Sequence, residues 1–115
     1  MQANSPAKGN ILKTSAYLIL ALVAATVSLP AAANLALAQK NACMACHAVD
    51  KKLVGPSYQD VAKKYAGQAD AVPKLAENVR KGGSGKWGPV PMPAQASLSE
   101  DDAKTLATWI LSGAK

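Results

Sequence analysis

The hydrophobic positions of this chain fall into two regimes. Between residues 16 and 29 they run together without a period, whereas beyond residue 34 they are spaced among Lys, Asp, Gln and Gly. The spaced part carries helical signals. Ala103, Leu106, Ala107 and Ile110 form an i, i+3, i+4, i+7 stripe, one face of an α-helix. Ser99 is placed to cap this helix, Glu100, Asp101 and Asp102 complement its dipole, and Gly113 ends it. Three further helices are predicted. The first covers roughly Leu35 to Ala42. The second begins at Ser57, an N-cap following Pro56, and runs to about Tyr65. The third starts near Asp70, accommodates Pro73 in its first turn and stops at Gly82 and Gly83. Alternating β-branched runs are missing, and Ala, Lys, Leu and Gln favour helix, so the expected fold class is all-α. The stretch from Gly82 to Leu98 holds four glycines and three prolines, with Pro-Val-Pro-Met-Pro inside it. A loop of that length in a small domain is usually functional.

The unbroken apolar block has a different meaning. Lys8 and Lys13 precede it, and Pro30-Ala31-Ala32-Ala33 follows. A basic segment, a short apolar run and a small-residue A-x-A end describe a secretory signal peptide. The run is shorter than the ~20 apolar residues that span a bilayer, so cleavage is expected rather than anchoring. A cut after Ala33 divides the chain into a leader, 1–33, and one domain, 34–115. A second A-x-A, Ala36-Leu37-Ala38, would also suit a signal peptidase but would delete most of the first helix. The expected destination is the periplasm, with no stable membrane insertion after cleavage. Removing 33 of the 115 residues leaves 82. A chain that short buries only about 60% of the surface it exposes when unfolded. It contains no Phe, and its apolar residues are mostly Ala, Val and Leu. Such a chain needs a staple: a disulfide, a metal or a cofactor.

Cys43-Met44-Ala45-Cys46-His47 is a C-x-x-C-H sequence, the attachment signature of a c-type haem. Two cysteines three apart lie on one face of a helical turn. Both sulfurs can then reach the vinyl groups on one edge of a haem, and His47 can turn its imidazole under the ring for Nε2 to ligate iron. Three other readings compete. A thioredoxin-like C-x-x-C pair sits on an α/β fold, and no strands are predicted. Structural zinc takes four Cys or His ligands, and Cys43, Cys46 and His47 are the only Cys and His in the chain. A chance match would not coincide with an export signal, a thin core and a Pro-rich loop. A Cys43–Cys46 disulfide would close a tiny loop and be a poor staple. For a sixth iron ligand the chain offers no second His, and three Met. Met1 leaves with the leader, and Met44 lies inside the attachment turn. Met92 remains, between Pro91 and Pro93, which restrict the backbone on both sides. A lone Met is otherwise core filler, and a five-coordinate iron open to gases or peroxide is the alternative.

Taken together, Cys43 to Asp50, Val54-Gly55-Pro56, Trp87 to Pro93 and the C-terminal Leu106 to Leu111 resemble the short bacterial class I cytochromes c of the c-551 type. The resemblance covers essentially all of 34–115. It implies a small class I cytochrome c fold, about four helices wrapped around one covalently bound haem c, with His47 and Met92 as the axial, metal-binding ligands. It also implies that the Pro56 carbonyl orients the His47 ring and that the Trp87 indole donates to a haem propionate. Many members carry a basic residue nine positions before that Trp; here the position is Asn78, with Arg80 and Lys81 nearby. Gln95 sits where the family has a polar side chain close to the Met sulfur.

The function implied is that of a soluble, monomeric, periplasmic one-electron carrier and not an enzyme. Its implied acceptors are a terminal oxidase, a nitrite reductase or a photosynthetic reaction centre, and its donor is a quinol-oxidising complex. A small haem peroxidase is the rival; it needs an open sixth site and a distal acid–base group, and His47 is already used. A haem-based gas sensor would bring an output domain. With Lys8 and Lys13 gone, 11 of the 13 basic residues face 7 acidic ones, a net charge of about +4. No dense basic run points to nucleic acid. A basic patch steering an acidic protein partner is one reading, with Lys51, Lys52 and Lys86 as candidates beside an apolar rim of Val54, Val90 and Pro91; lysines that only keep the surface solvated are the other.

Overall fold

A computed structural model describes residues 30–115. The apolar block, and all of the expected leader except its last four residues, lie outside that range. Four α-helices and one 3₁₀ turn follow in order: α1 (Pro30–Lys40), the 3₁₀ turn (Cys43–Ala45), α2 (Tyr58–Tyr65), α3 (Ala71–Lys81) and α4 (Glu100–Leu111). Among the described residues there are no strands, only an isolated antiparallel bridge between Gly83 and Met92. The fold is that of a small all-α protein, as the hydrophobic pattern predicts.

The first helix differs from its expected span. It starts five residues earlier, because Pro30 at the first helical position has a pre-set φ and the alanines behind it are the best helix formers. It ends two residues earlier. Asn41 Nδ2 donates to the Leu37 carbonyl at 2.9 Å, and Ala42 then takes up a left-handed φ of 58°. That reversal separates the cysteine turn from α1 and lets it point in its own direction.

The other boundaries follow their caps. Ser57 Oγ accepts from the Asp60 N–H, and Ser99 Oγ from the Asp102 N–H, each at 3.0 Å. Asp70 does not cap α3 through its side chain; its carboxylate pairs with Lys74 instead, at 2.8 Å. Gly82, with φ 67°, stops α3, and its N–H closes on the Asn78 carbonyl at 2.8 Å.

α4 is the hub, packed against α1, α2 and α3. All four residues of its predicted stripe are buried, and so is Trp109, which the stripe left out. Trp109 meets the Tyr58 ring edge-on, with centroids 5.5 Å apart. Tyr58, Val61 and Tyr65 of α2 and Ala71, Leu75, Ala76 and Val79 of α3 complete the core with Ala38 and Leu98. The ion pairs all lie on exposed helix faces: Asp60–Lys63, Asp70–Lys74, Glu77–Lys81 and Glu100–Lys104. Hydrogen bonds from their lysines hold the Asp70, Glu77 and Glu100 carboxyls below the ordinary range. What these pairs add is therefore present at neutral pH and lost as pH falls through the depressed values, and at such exposure it is small.

The packing sets an order of stability losses. Leu106→Ala, at a site only 2% exposed, is expected to cost about 2–5 kcal/mol. Ser99→Ala, which removes one cap bond, is expected to cost about 1 kcal/mol. Urea titration of the two variants against the parent protein checks both, and equal losses would contradict a core centred on α4.

Candidate functional site

A cavity of about 450 Å³ lies between the cysteine turn, α2, α3, α4 and the loop after α3. Tyr58, Val61 and Tyr65 of α2, Leu75 and Val79 of α3, and Leu106 and Ile110 of α4 line it, so core side chains are also its walls. The 3₁₀ turn brings Cys43, Cys46 and His47 to one side. Its backbone is closed by the Cys46 and His47 N–H groups, both donating to the Cys43 carbonyl at 3.2 and 3.0 Å. Both cysteines are free thiols. Burial pushes the Cys43 thiol above its ordinary value, and burial likewise raises the Tyr58 phenol beside it.

The His47 ring is fixed on three sides. Its Nδ1 lies 2.8 Å from the Pro56 carbonyl. A carbonyl only accepts, so Nδ1 carries the proton and Nε2 keeps a lone pair for a metal. Tyr58 stacks on the ring at 5.4 Å with planes 21° apart. Gly55 approaches so closely that a Cβ there would sit 2.5 Å from His47 Cε1. Gly55 is thus required by close approach, and its own N–H anchors it to the Cys46 carbonyl at 2.8 Å.

Met92 reaches the same cavity from the far end of the loop. Its N–H donates to the Gly83 carbonyl at 2.8 Å, and its carbonyl accepts from the Gly83 N–H at 3.0 Å. Gly82 sits against the strap behind it, where a Cβ would lie 2.5 Å from the Met92 carbonyl oxygen. Downstream, the Gln95 N–H donates to the Val79 carbonyl at 3.2 Å, and Arg80 Nε to the Leu98 carbonyl at 3.0 Å. Four attachments to α3 and its end therefore position a segment whose sequence is mostly Gly and Pro.

The six residues expected from sequence to bind the cofactor all line this one cavity: Cys43, Cys46, His47, Pro56, Trp87 and Met92. Asn78 lines it too, with its Nδ2 donating to the Tyr65 hydroxyl at 3.2 Å. Met44 packs against the core instead. The Gln95 amide donates to the Pro93 carbonyl at 3.3 Å and is not part of the lining. Lys52 and Lys86 stand at the cavity, whereas Lys51 does not. Sequence reasoning missed Tyr58 and gave Gly55 no role beyond its place in the Val54-Gly55-Pro56 motif. Tyr58, Val61 and Tyr65 repeat at i, i+3, i+7, a stripe that could have been read, while nothing in the sequence marks Gly55 as the wall behind an imidazole.

The donor set fits a covalently held haem. It offers two unpaired thiols on one turn, an imidazole with Nε2 uncommitted, a thioether on a clamped strap, and a largely apolar enclosure of ligand size. It does not fit zinc: among the described residues no three His, Cys, Asp or Glu side chains group to hold a metal ion.

Comparison with known proteins points the same way. The family model for cytochrome c matches residues 32–114. Cytochrome c-552 of Hydrogenobacter thermophilus is 59% identical over 80 residues, 70% of this chain and 81% of that one. Cytochrome c-551 of Allochromatium vinosum is 50% identical over 92 residues, 80% of this chain and 98% of that one. The crystal structure of wild-type Nitrosomonas europaea cytochrome c552 superposes with a TM-score of 0.67 at 50% identity, covering 68% of this chain and 96% of that one.

The tight seat of the imidazole is open to test. Gly55→Ala is expected to displace the His47 ring, break its bond to Pro56 and cost about 1–3 kcal/mol, the usual penalty of overpacking. A His47 Nδ1–H proton signal that exchanges slowly in the parent protein and is lost in the variant is the expected readout. A retained signal would mean that the Pro56 bond survives a side chain at 55 and that the close approach of Gly55 does not seat the ring.

Proposed function

Because the chain belongs to the cytochrome c family, we propose that it is a periplasmic one-electron carrier of the c-551 type, with Cys43 and Cys46 bonded to the haem and His47 and Met92 on its iron. Its cofactor is one covalently attached haem c, which supplies an iron that changes by a single electron. The observation that carries the reading is the convergence of two thiols, one imidazole and one thioether on a single apolar cavity.

The chain's own residues divide the work. Cys43 and Cys46 tether, through thioethers. Pro56 keeps the His47 tautomer that leaves Nε2 free, a bond of the kind that also raises ligand basicity. The Gly83–Met92 bridge keeps the Met92 side chain at the cavity. His47 and Met92 would both hold the iron and leave no place on it for a substrate, which would separate a carrier from a peroxidase. His/Met ligation raises the reduction potential. Tyr58, Val61, Leu75, Val79, Leu106 and Ile110 exclude water.

The leader is proposed to be cut after Ala33. Leu35 and Leu37 pack on the core and Ala38 is fully buried, so cutting after Ala38 would strip packing that α1 supplies. Among the described residues no helix is long and apolar enough to cross a membrane.

Charge is sorted around the cavity. Four of the seven carboxylates are paired with lysines of their own helices. None of those four lines the cavity, whereas Lys52 and Lys86 do, and among the described residues neither forms an ion pair. Val54 and Val90, 58% and 61% exposed, stand beside them. This combination suits brief docking of an acidic redox protein, with a quinol-oxidising complex as donor and an oxidase, nitrite reductase or reaction centre as acceptor.

Three outcomes are expected. After acid–acetone extraction, mass spectrometry should read residues 34–115 plus one haem. Met92→Ala should lose the weak band at the red end of the oxidised spectrum, lower the potential and bind carbon monoxide. Carbon monoxide binding by the parent protein would instead favour the peroxidase. For docking, Lys52→Glu with Lys86→Glu should slow electron transfer to the physiological partner about tenfold at low salt and flatten its salt dependence. Lys51→Glu should do less. Stopped-flow rates decide, and unchanged salt slopes would leave docking to Val54, Val90 and Pro91.

A further inference from the structure

Trp87 stands on the wall of the cavity with 40% of its surface exposed. It sits in a turn with glycine at each end: Gly85 at φ 95° and Gly88 at φ 114°, joined by one hydrogen bond from the Gly85 N–H to the Gly88 carbonyl at 2.9 Å. A turn with glycine at both ends does little to fix the direction of a large ring. Among the described residues the indole N–H has no hydrogen-bond partner, so the turn does not aim it either.

One side chain from outside the loop holds it. Lys64, in the last turn of α2, places Nζ 4.2 Å from the Trp87 ring centroid and donates to the Lys86 carbonyl at 2.6 Å. The first contact is a cation–π interaction, well within the ~6 Å at which an ammonium is drawn to a ring face. The second fixes the backbone next to the ring. A single ammonium thus sets both the position of the turn and the plane of the indole. Its neighbour Lys63 pairs with Asp60; Lys64 has no carboxylate partner among the described residues and is committed to the loop. Trp87 lines the cavity and Lys64 does not, so the indole stands between the ammonium and the cavity.

We propose that Lys64 is the positioning residue for Trp87: it aims the indole N–H at a haem carboxylate and supplies, from behind the ring, the positive charge that Asn78 lacks. The proposal rests on the haem reading above, with Trp87 as donor to a propionate. An ammonium over an indole withdraws electron density from the ring, which makes its N–H a stronger donor. Asn78 is uncharged and already engaged with the Tyr65 hydroxyl; Lys86 also stands at the cavity, but the cation seated on the indole comes from α2 and acts through the ring.

The test uses the reduced, diamagnetic holoprotein labelled with nitrogen-15. It compares the parent with Lys64→Met and Lys64→Arg and follows both indole N–H signals. Trp109 Nε1 is buried without a partner, so its exchange reports opening of the whole fold. The Trp87 N–H is expected to exchange about tenfold faster in Lys64→Met, near the parent rate in Lys64→Arg, with Trp109 unchanged in both. The reduction potential should fall in Lys64→Met and hold in Lys64→Arg, because a nearby cation disfavours the oxidised state. Equal acceleration of both indoles would reduce Lys64 to a stability contact and overturn the proposal. Protection of Trp87 that survives Lys64→Met would overturn it while leaving the haem reading intact. A Trp87 N–H that exchanges in the parent as fast as a free indole would sink the propionate reading itself.

Discussion

The hydrogen bond from the His47 Nδ1–H to the Pro56 carbonyl, at 2.8 Å, is the constraint on which the site depends. It decides which ring nitrogen is left for a metal, and it needs a backbone that passes directly under the imidazole. Only glycine at 55 allows that approach, and the Gly55 N–H ties the same backbone to Cys46. Two residues later Ser57 caps α2, whose first residue, Tyr58, stacks on the ring. A tetrapeptide therefore aims the imidazole, starts a helix and supplies the stacking partner. Its parts cannot be changed independently, since moving one shifts the others.

The core and the cavity are built from the same side chains. Tyr58, Val61, Tyr65, Leu75, Val79, Leu106 and Ile110 pack against one another on one side and face the cavity on the other. A domain this small, without Phe, has little apolar volume to spare. The haem c of this family is accordingly part of the hydrophobic interior and not a guest in a finished fold. A group that fills the cavity would stabilise the fold, because whatever binds the folded state alone stabilises it.

Much of this was legible in the sequence because local rules acted without opposition. Ser57 and Ser99 cap where they were expected to, and the α4 stripe is buried in full. The C-x-x-C-H turn and the Pro-flanked Met92 needed only chemistry and elimination to be noticed. What escaped was tertiary. Asp70 stands at the expected start of α3, but a lysine one turn on captures its carboxylate and leaves it no cap bond. The end of α1 was set by an asparagine side chain and a left-handed alanine, which propensity disfavours. Trp109 lies off the simple i, i+3, i+4 stripe because α4 is the hub and buries a wider face. Lys64 looks like any other lysine of a solvated helix until the loop folds over it.

The loop that carries Met92 combines freedom and restraint. Its glycines at 82, 83, 85 and 88 all adopt positive φ, and such a sequence is usually the softest part of a chain. Here the ends of that softness are stitched down: Met92 to Gly83 in both directions, Gln95 to Val79, and Leu98 to Arg80. The rate at which an electron hops between two sites depends on how far the surrounding atoms must shift when it arrives. As the ligand proposed above, a sulfur borne on so restrained a strap would have little distance to travel, and backbone pairing alone would keep the reorganisation energy of the centre low.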